Sequence, residues 1–351
     1  MRRGTLVAVT ALLLVVAGCR EVPPPPVTGE DAPVSFPAVE AAPSPPQFVC
    51  PLDGEFAAEA EVSRRILAVI MDNHPSARPQ AGLAQACLVY EVLVEGGITR
   101  LVAFYLHGEA PVLLPIRSAR PYFLDWVAEL DAVLAHCGGT PDAMTDLARL
   151  KIPGLDEVQR AQAYYERHTG RKAPYNLRSS TARLRQAIAA FGYQYDPPRV
   201  PGGLFRFDAN PAWEGEPAAV VRLAYGASSR PSVAEWRYDE ATGYYLRFQN
   251  GLAHTSATDS REQVKAGTVI VLPVRTTPVK DSPEGYLSLQ LVGNGKATVF
   301  ARGMAVEARW SKKDRASPTI YTLAAGSELV LPPGPVWIQV VPLDMVVEVQ
   351  R

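Results

Sequence analysis

Apolar and polar residues follow two different patterns along the chain, and the pattern changes near residue 197. Before that point, apolar runs typical of buried strands, such as RRILAVIMDN at 64–73, alternate with segments in which apolar residues recur at helical spacing. Ser118 and Pro121 predict the start of one helix, and Thr140 predicts the cap of another. We therefore predict an α/β (α+β) domain over residues 49–197, with a mixed sheet flanked by helices.

A hairpin over LVYEVLVEGGITRLVAFYLHG, residues 88–108, places charged side chains inside an apolar sheet. The Gly-Gly pair tolerates the positive φ that its turn needs. Alternation of side chains along the strand predicts that Glu91 and Glu95 share a face with Cys87. Carboxylates in a sheet interior need partners, so these two either position arginines or take part in a site.

The remainder of the chain, residues 198–351, consists of short alternating runs separated by Gly, Asn, Asp and Pro. This pattern predicts a β-rich domain. Its three tryptophans, Trp236, Trp310 and Trp337, are expected in the core because tryptophan is highly buried on average. A sugar-stacking platform is the alternative for these rings.

The amino terminus predicts export and lipidation. Two arginines, an apolar run and the sequence VAGC indicate a lipoprotein signal peptide at 1–18, with Cys19 as the first mature residue. Two acyl chains such as palmitate on Cys19 would hold the protein stably at the membrane. Residues 19–48, rich in Pro and Ala, are expected to form a tether, so we predict an extracytoplasmic, membrane-anchored protein.

Arginines concentrate where the predicted strands run into helices. Arg117 and Arg120 precede one helix, and His136 lies just before the Gly-Gly-Thr turn that starts the next. Helix amino termini and guanidinium groups both favour anions, and such turns gather at one edge of an open α/β sheet. The predicted ligand-binding set is Arg78, Arg100, Arg117, Arg120, His136 and Asn176.

Two other interpretations of these charges stay open. Glu91 or Glu95 could neutralise the arginines in a structural network. Alternatively Glu91, Glu95 or His136 could act in catalysis on a glycan, since two carboxylates on one strand face about 13 Å apart suit an inverting pair or a single acid better than a retaining pair.

Composition removes several classes of function. The net charge is −1 and no basic block occurs, so we predict no nucleic-acid partner. The five histidines show no metal-ligand spacing and no Cys-x-x-Cys motif exists, so we predict no metal site and no cofactor.

Three cysteines remain after Cys19. We pair Cys87 with Cys137, because both fall in predicted strands of one domain, whereas Cys50 lies beside the tether. Buried free thiols are the alternative.

Several segments together make the chain resemble the YerB-like family of bacterial lipoproteins. They are ARPQAGLAQACLVYEVLVEGGITRLVAFY, LPIRSARPYF, HCGGTPDA, RKAPYNL, GNGKATVFARGMAVEARWSKKD and GPVWIQVV. The resemblance implies a two-domain, surface-anchored protein of unknown biochemical activity. This chain departs from the family pattern at Cys87, where aspartate is usual, and at Tyr175, where histidine is usual; the first departure favours the disulfide, and the second removes a proton-transfer group near Asn176.

These observations lead to one main functional hypothesis and two alternatives. The main hypothesis is a lipid-anchored envelope protein that binds an anionic cell-wall glycan, lipid-linked precursor or wall polymer. The first alternative is an enzyme that processes peptidoglycan or a wall polymer with Glu91 or Glu95. The second is an adaptor that docks another envelope protein.

Overall fold

The structure is a computed structural model that describes residues 48–193, 204–212, 214–226, 232–258 and 261–351. All of them belong to one compact unit, residues 45–351. The predicted signal peptide, Cys19 and nearly all of the predicted tether lie outside the described residues. The boundary predicted at 197/198 also lies outside them. Among the described residues, no helix combines the length and apolar character needed to cross a membrane.

The described helices all lie in the part of the chain before residue 191. In chain order, the elements of this part are β1 (Phe48–Val49), β2 (Phe56–Ala57), α1 (Glu59–Val62), β3 (Leu67–Asp72), β4 (Leu88–Leu93), β5 (Thr99–Tyr105), α2 (Phe123–Glu129), β6 (Val133–His136), α3 (Pro141–Arg149), β7 (Gly154–Asp156), β8 (Glu166–Arg167), β9 (Leu177–Arg178) and α4 (Thr181–Ala190), with short 3₁₀ turns at Pro75–Ala77, Leu83–Gln85, Glu95–Gly97 and Gln162–Tyr164.

The regular elements described from residue 204 onward are all strands. They are β10 (Arg206–Phe207), β11 (Glu216–Pro217), β12 (Val220–Tyr225), β13 (Ser232–Asp239), β14 (Tyr244–Gln249), β15 (Leu252–Ala253), β16 (Lys265–Ala266), β17 (Thr268–Val274), β18 (Thr276–Pro278), β19 (Leu287–Leu289), β20 (Gly293–Ala301), β21 (Met304–Lys312), β22 (Ile320–Leu323), β23 (Val330–Leu331), β24 (Val336–Pro342) and β25 (Val347–Gln350). The protein is thus mostly sheet.

One large sheet passes through both predicted domains. Its strand order is β11-β21-β20-β17-β24-β4-β5-β3-β6-β7, with β22 beside β21. The link between the two halves is the parallel pair β24–β4, in which Trp337 lies opposite Val89. The β4–β5 hairpin predicted from the sequence is confirmed, with Leu88 opposite Phe104 and positive φ at Gly96 and Gly97.

The two faces of this sheet carry separate cores. One face packs against helix α2 through residues that include Tyr90, Phe123 and Trp126. The other packs against helix α4 and against a second sheet of six strands, β15-β14-β13-β12-β25 with β16 beside β14. The expectation that Trp236, Trp310 and Trp337 are core residues is confirmed, because each is at most 5% exposed.

Of the two helix starts predicted from the sequence, the start of α3 is confirmed and the start of α2 is not. Thr140 caps α3 by accepting from the Ala143 amide, and Pro141 opens that helix. Ser118 does not cap α2, however, because that helix begins only at Phe123. The Ser118 carbonyl instead accepts hydrogen bonds from two arginine side chains.

Candidate functional site

Glu91 lies between the two sheets and is fully buried. It forms an ion pair with Arg247 of β14, with 2.9 Å between Nη2 and Oε2. Its other partners are donors from both halves of the chain: Asn73 Nδ2, Thr99 Oγ1, Trp337 Nε1 and Gln339 Nε2, at 2.8 to 3.2 Å. The carboxylate is therefore a buried acceptor for several donors. This arrangement agrees with the alternative in which Glu91 neutralises an arginine in a structural network.

Arg247 extends this buried polar network. Its guanidinium lies 4.7 Å from the Trp337 ring and 5.2 Å from the Trp236 ring. Its Nε donates to Nδ1 of His254 at 2.9 Å, and His254 Nε2 lies 2.7 Å from Gln80 Oε1. Burial and the charge of Arg247 hold the pKa of His254 well below its usual value, so His254 is neutral and donates to Gln80.

Glu95 lies in the hairpin turn. The prediction that it shares a strand face with Glu91 is therefore wrong. Both of its oxygens bind Arg120, through Nη2 and through Nε at 3.0 Å. Arg120 is 7% exposed and also donates to the carbonyls of Ser118 and Ala119. This bidentate pair satisfies both partners inside the protein.

Arg100 and Arg117 converge on the end of β3. Arg117 Nε lies 2.7 Å from Asp72 Oδ2, and Arg100 donates to the Ser118 carbonyl at 3.2 Å. Arg100 is buried, whereas the Arg117 side chain is 23% exposed, with its guanidinium 5.9 Å from the Tyr175 ring. The structure thus brings Arg100, Arg117 and Arg120 together, but it gives each an internal partner.

His136 and Asn176 have partners of their own, whereas Arg78 lies close to the charges of Arg247, Glu91 and Asp72. His136 is fully buried, its Nδ1 lies 2.9 Å from the Gly138 carbonyl, and burial lowers its pKa. Asn176 accepts from Arg167 at 3.3 Å. Arg78 lines a cleft of about 370 Å³, and burial lowers its pKa.

The predicted Cys87–Cys137 disulfide is wrong. Cys87 immediately precedes β4 and Cys137 immediately follows β6, and β5 and β3 lie between these strands. Three strand spacings amount to about 14 Å, well beyond the reach of a disulfide. Cys137 instead lies 3.1 Å from Glu157 Oε2, and Cys87 packs on the opposite sheet face from Glu91.

Cys87 lies in a cluster that the sequence did not predict. The side chains of Cys50, Asp53, Cys87 and His107 place their sulfur, oxygen and nitrogen atoms within 4.8 Å of one another. The available signals were the Cys-x-x-Asp spacing at residue 50 and the hairpin register, which brings residues 87 and 107 to the same end of the β4–β5 pair.

The residues of this cluster strongly affect each other's ionisation. Hydrogen bonds with Asp53 and Cys87 raise the pKa of His107 to about 11. Burial opposes ionisation of Cys87, but hydrogen bonds with Cys50 and His107 outweigh it and lower the pKa of Cys87 to about 7. Burial also opposes ionisation of Asp53, yet the hydrogen bond with His107 at 2.8 Å lowers the pKa of Asp53.

A second unpredicted feature is a basic cleft of about 770 Å³ beside the 168–178 segment. Its basic lining residues are His168, Arg171, Arg178 and Arg261, and its hydroxyl-bearing lining residues are Thr255, Ser256 and Thr258. None of the described residues that line it carries a carboxylate. The density of basic residues in ERHTGRKAPYNLRSS was the signal in the sequence.

Two parts of one family match the chain. The N-terminal domain model of a protein of unknown function, DUF3048, matches residues 52–194, and its C-terminal domain model matches residues 221–338. The chain belongs to this family of YerB-like proteins, as the sequence resemblance indicated.

Two comparisons with individual proteins agree with this assignment. The chain is 29% identical over 292 residues to "Putative lipoprotein YerB" of Bacillus subtilis strain 168, covering 83% of this chain and 86% of that protein. The crystal structure of YerB protein from Bacillus subtilis matches it with a TM-score of 0.76 and 27% identity, covering 86% of this chain and 99% of that one.

The Glu95–Arg120 pair leads to a prediction about stability. Lysine at residue 120 keeps the charge but loses the planar fork, so Arg120→Lys should lower the free energy of unfolding by about 1.5 to 3 kcal/mol. Chemical unfolding of Arg120→Lys would measure the change, with Arg309→Lys, an exposed arginine on β21, as the control. Unchanged stability together with lost binding to wall material would instead assign Arg120 to a ligand site.

Proposed function

We propose that this chain is a lipid-anchored cell-envelope protein whose folded part binds an anionic cell-wall ligand, such as a glycan, a lipid-linked precursor or a wall polymer. The observation that carries the proposal is the basic cleft of about 770 Å³, with three arginines and a histidine in its lining. Such a concentration of cations favours an anion, and guanidinium groups bind phosphate and carboxylate in a bidentate manner.

The three arginines of the cleft differ in their contacts within the protein. Arg171 is held in place by donating to the carbonyls of Ala77 and Pro79, at 2.8 and 2.6 Å. Arg178 is paired with Glu166 at 2.8 Å. Arg261 is exposed, and its side chain forms no ion pair within the described part of the chain, so it is the cation most available to a ligand.

The shape of this surface supports an extended ligand. Pro79 and Thr255 line both the basic cleft and the neighbouring cleft of about 370 Å³ that contains Arg78. The two clefts therefore adjoin, and cations occur along both. A polymer with repeated negative charges fits this arrangement better than a single small anion.

The anchoring part of the proposal rests on the lipoprotein signal around Cys19 and on the relative named as a lipoprotein. The proline-rich tether expected from the sequence would place the basic cleft among wall polymers outside the membrane.

A co-sedimentation assay tests the binding proposal. The chain from Arg20 onward would be incubated with purified peptidoglycan that retains its anionic polymers, and with the same material after acid removal of phosphodiester-linked polymers. We expect binding to the first preparation only. Arg261→Glu should weaken that binding about 10- to 100-fold, the effect of losing a charged hydrogen bond and adding repulsion.

A charge-matched control makes this assay specific. Arg309→Glu introduces the same charge change at an exposed position on β21, outside the basic cleft, and should bind like the unaltered chain. Equal loss of binding in both variants would show that only net charge matters. Undiminished binding by Arg261→Glu would reject the cleft as the site.

The alternative of an enzyme has less support from the geometry. Glu91 is fully buried among donors, and both oxygens of Glu95 bind Arg120. Mass analysis of peptidoglycan after incubation with the chain would detect released fragments if the alternative holds.

The alternative of a protein-docking adaptor is favoured by one observation. Leu343 and Val346 are 61% and 75% exposed, and Val346 lines a cleft of about 550 Å³ with Leu93 and Met345. Exposed apolar residues beside a cleft are typical of protein contacts.

A further inference from the structure

We propose that Cys50, Asp53, Cys87 and His107 form a structural zinc site. The four candidate ligand atoms already lie within 4.8 Å of one another. Ligands at about 2.0 to 2.3 Å from a tetrahedral zinc ion lie about 3.3 to 3.8 Å apart, so a small contraction of the cluster would complete the coordination.

The backbone holds these four residues in place. Cys50 and Asp53 lie in a turn closed by hydrogen bonds from the Cys50 amide to the Glu55 carbonyl and from the Gly54 amide to the Cys50 carbonyl. Gly54 has φ +72°, and a Cβ there would lie 2.4 Å from the Phe207 ring. Close packing against Phe207 therefore also restricts this turn. Two neighbouring strands hold the backbone of Cys87, because its amide donates to the Phe104 carbonyl and its carbonyl accepts from the Val336 amide.

Further hydrogen bonds orient the ligand atoms themselves. The Leu52 amide donates to Cys50 Sγ at 3.4 Å, and the Glu55 amide donates to Asp53 Oδ1 at 3.1 Å. The second bond leaves Oδ2 directed at His107. Such outer partners fix ligand orientation in metal sites.

The donor set selects the metal and its role. Two sulfur ligands favour a soft or borderline ion, and one imidazole with one carboxylate completes a set that suits zinc. Cys50, Asp53 and Cys87 are at most 1% exposed, and the His107 side chain is 18% exposed, so the site is closed as structural zinc sites are. On binding, both thiols and the protonated imidazole release their protons to solvent.

A Cys50–Cys87 disulfide is the competing use of these sulfur atoms in an exported protein. A disulfide would not require Asp53 and His107 to converge on the same point, whereas a metal ion does. The convergence of two thiols, a carboxylate and an imidazole therefore favours the metal.

Metal analysis of the chain from Arg20 onward, which contains the complete compact unit, tests this inference. The protein would be reduced, stripped with a chelator and titrated with zinc sulfate against a chromophoric competitor. We expect one zinc per chain, a higher melting temperature with zinc than with chelator, and sulfur-to-metal charge-transfer absorption after substitution with cobalt.

Cysteine variants provide matched comparisons. Cys87→Ser should lose stoichiometric zinc, whereas Cys137→Ser, which removes the cysteine outside the cluster, should retain it. His107→Gln gives a second test at a partly exposed ligand and should weaken zinc binding at least 10-fold with the fold retained. A wild-type chain that takes up no zinc, or a Cys50–Cys87 disulfide peptide in an unreduced digest, would overturn the proposal.

Discussion

Replacing Glu91 with glutamine is expected to lower the free energy of unfolding by about 3 to 5 kcal/mol. The reason is that Arg247 would remain buried without its counter-charge, and breaking a buried pair from one side costs that amount. Urea unfolding of the chain from Arg20 onward, followed by circular dichroism and tryptophan fluorescence, would measure the loss. The fluorescence transition reports on the same region, because Trp236 and Trp337 contact Arg247.

An exposed pair of the same type is the control for Glu91→Gln. Glu348 and Arg222 are paired at 2.7 Å on β25 and β12, but both side chains are more than one third exposed. Glu348→Gln should therefore change the free energy of unfolding by at most about 1 kcal/mol. If the two substitutions cost the same, the buried network does not have the importance we assign to it.

A double variant separates the cost of an unpaired charge from the cost of lost packing. Arg247→Met combined with Glu91→Gln removes both charges, so part of the stability lost in Glu91→Gln should return. No recovery would indicate that the remaining donors to Glu91, and not the cation, dominate the loss.

Replacing Cys19 with alanine is expected to abolish acylation and to leave the precursor unprocessed by the lipoprotein signal peptidase. The proposed acyl chains would supply the anchoring energy, at about 0.8 kcal/mol for each buried methylene, and alanine has no thiol to carry them. Cell fractionation and mass analysis of the mature amino terminus would show an unprocessed precursor. Cys137→Ser should be processed normally, and a Cys19→Ala chain that stays membrane-bound with a free mature amino terminus would contradict the lipoprotein assignment.

The buried network around Glu91 also shows how the two family parts depend on each other. Glu91 belongs to the first part, whereas Arg247 and Trp337 belong to the second. The same junction contains the parallel pairing of β4 with β24. The two family parts therefore share one buried polar network and one continuous sheet.

Several features could be predicted because they depend on neighbouring residues. The β4–β5 hairpin follows from two apolar runs around Gly96 and Gly97, and Thr140 caps α3 through a bond to an amide three residues away. Burial of Trp236 and Trp337 follows from side-chain size and apolarity.

Features that depend on distant pairing could not be predicted in the same way. Cys87 and Cys137 both lie next to strands of one sheet, but the strand order places two strands between them. The partner of Glu91 is 156 positions away, on a strand of the other sheet.

The sequence by itself determined the family, the hairpin and the cap of α3, and it predicted the lipoprotein signal, because each depends on residue types within a short segment. Only the tertiary structure decided which charges meet, since that depends on strand order and on the joining of both halves into one sheet. It paired Glu95 with Arg120 and Glu91 with Arg247, and it gathered Cys50, Asp53, Cys87 and His107. It also brought Arg261 and Arg171 into the lining of one cleft, because a cleft between segments far apart in the chain exists only after the chain has folded.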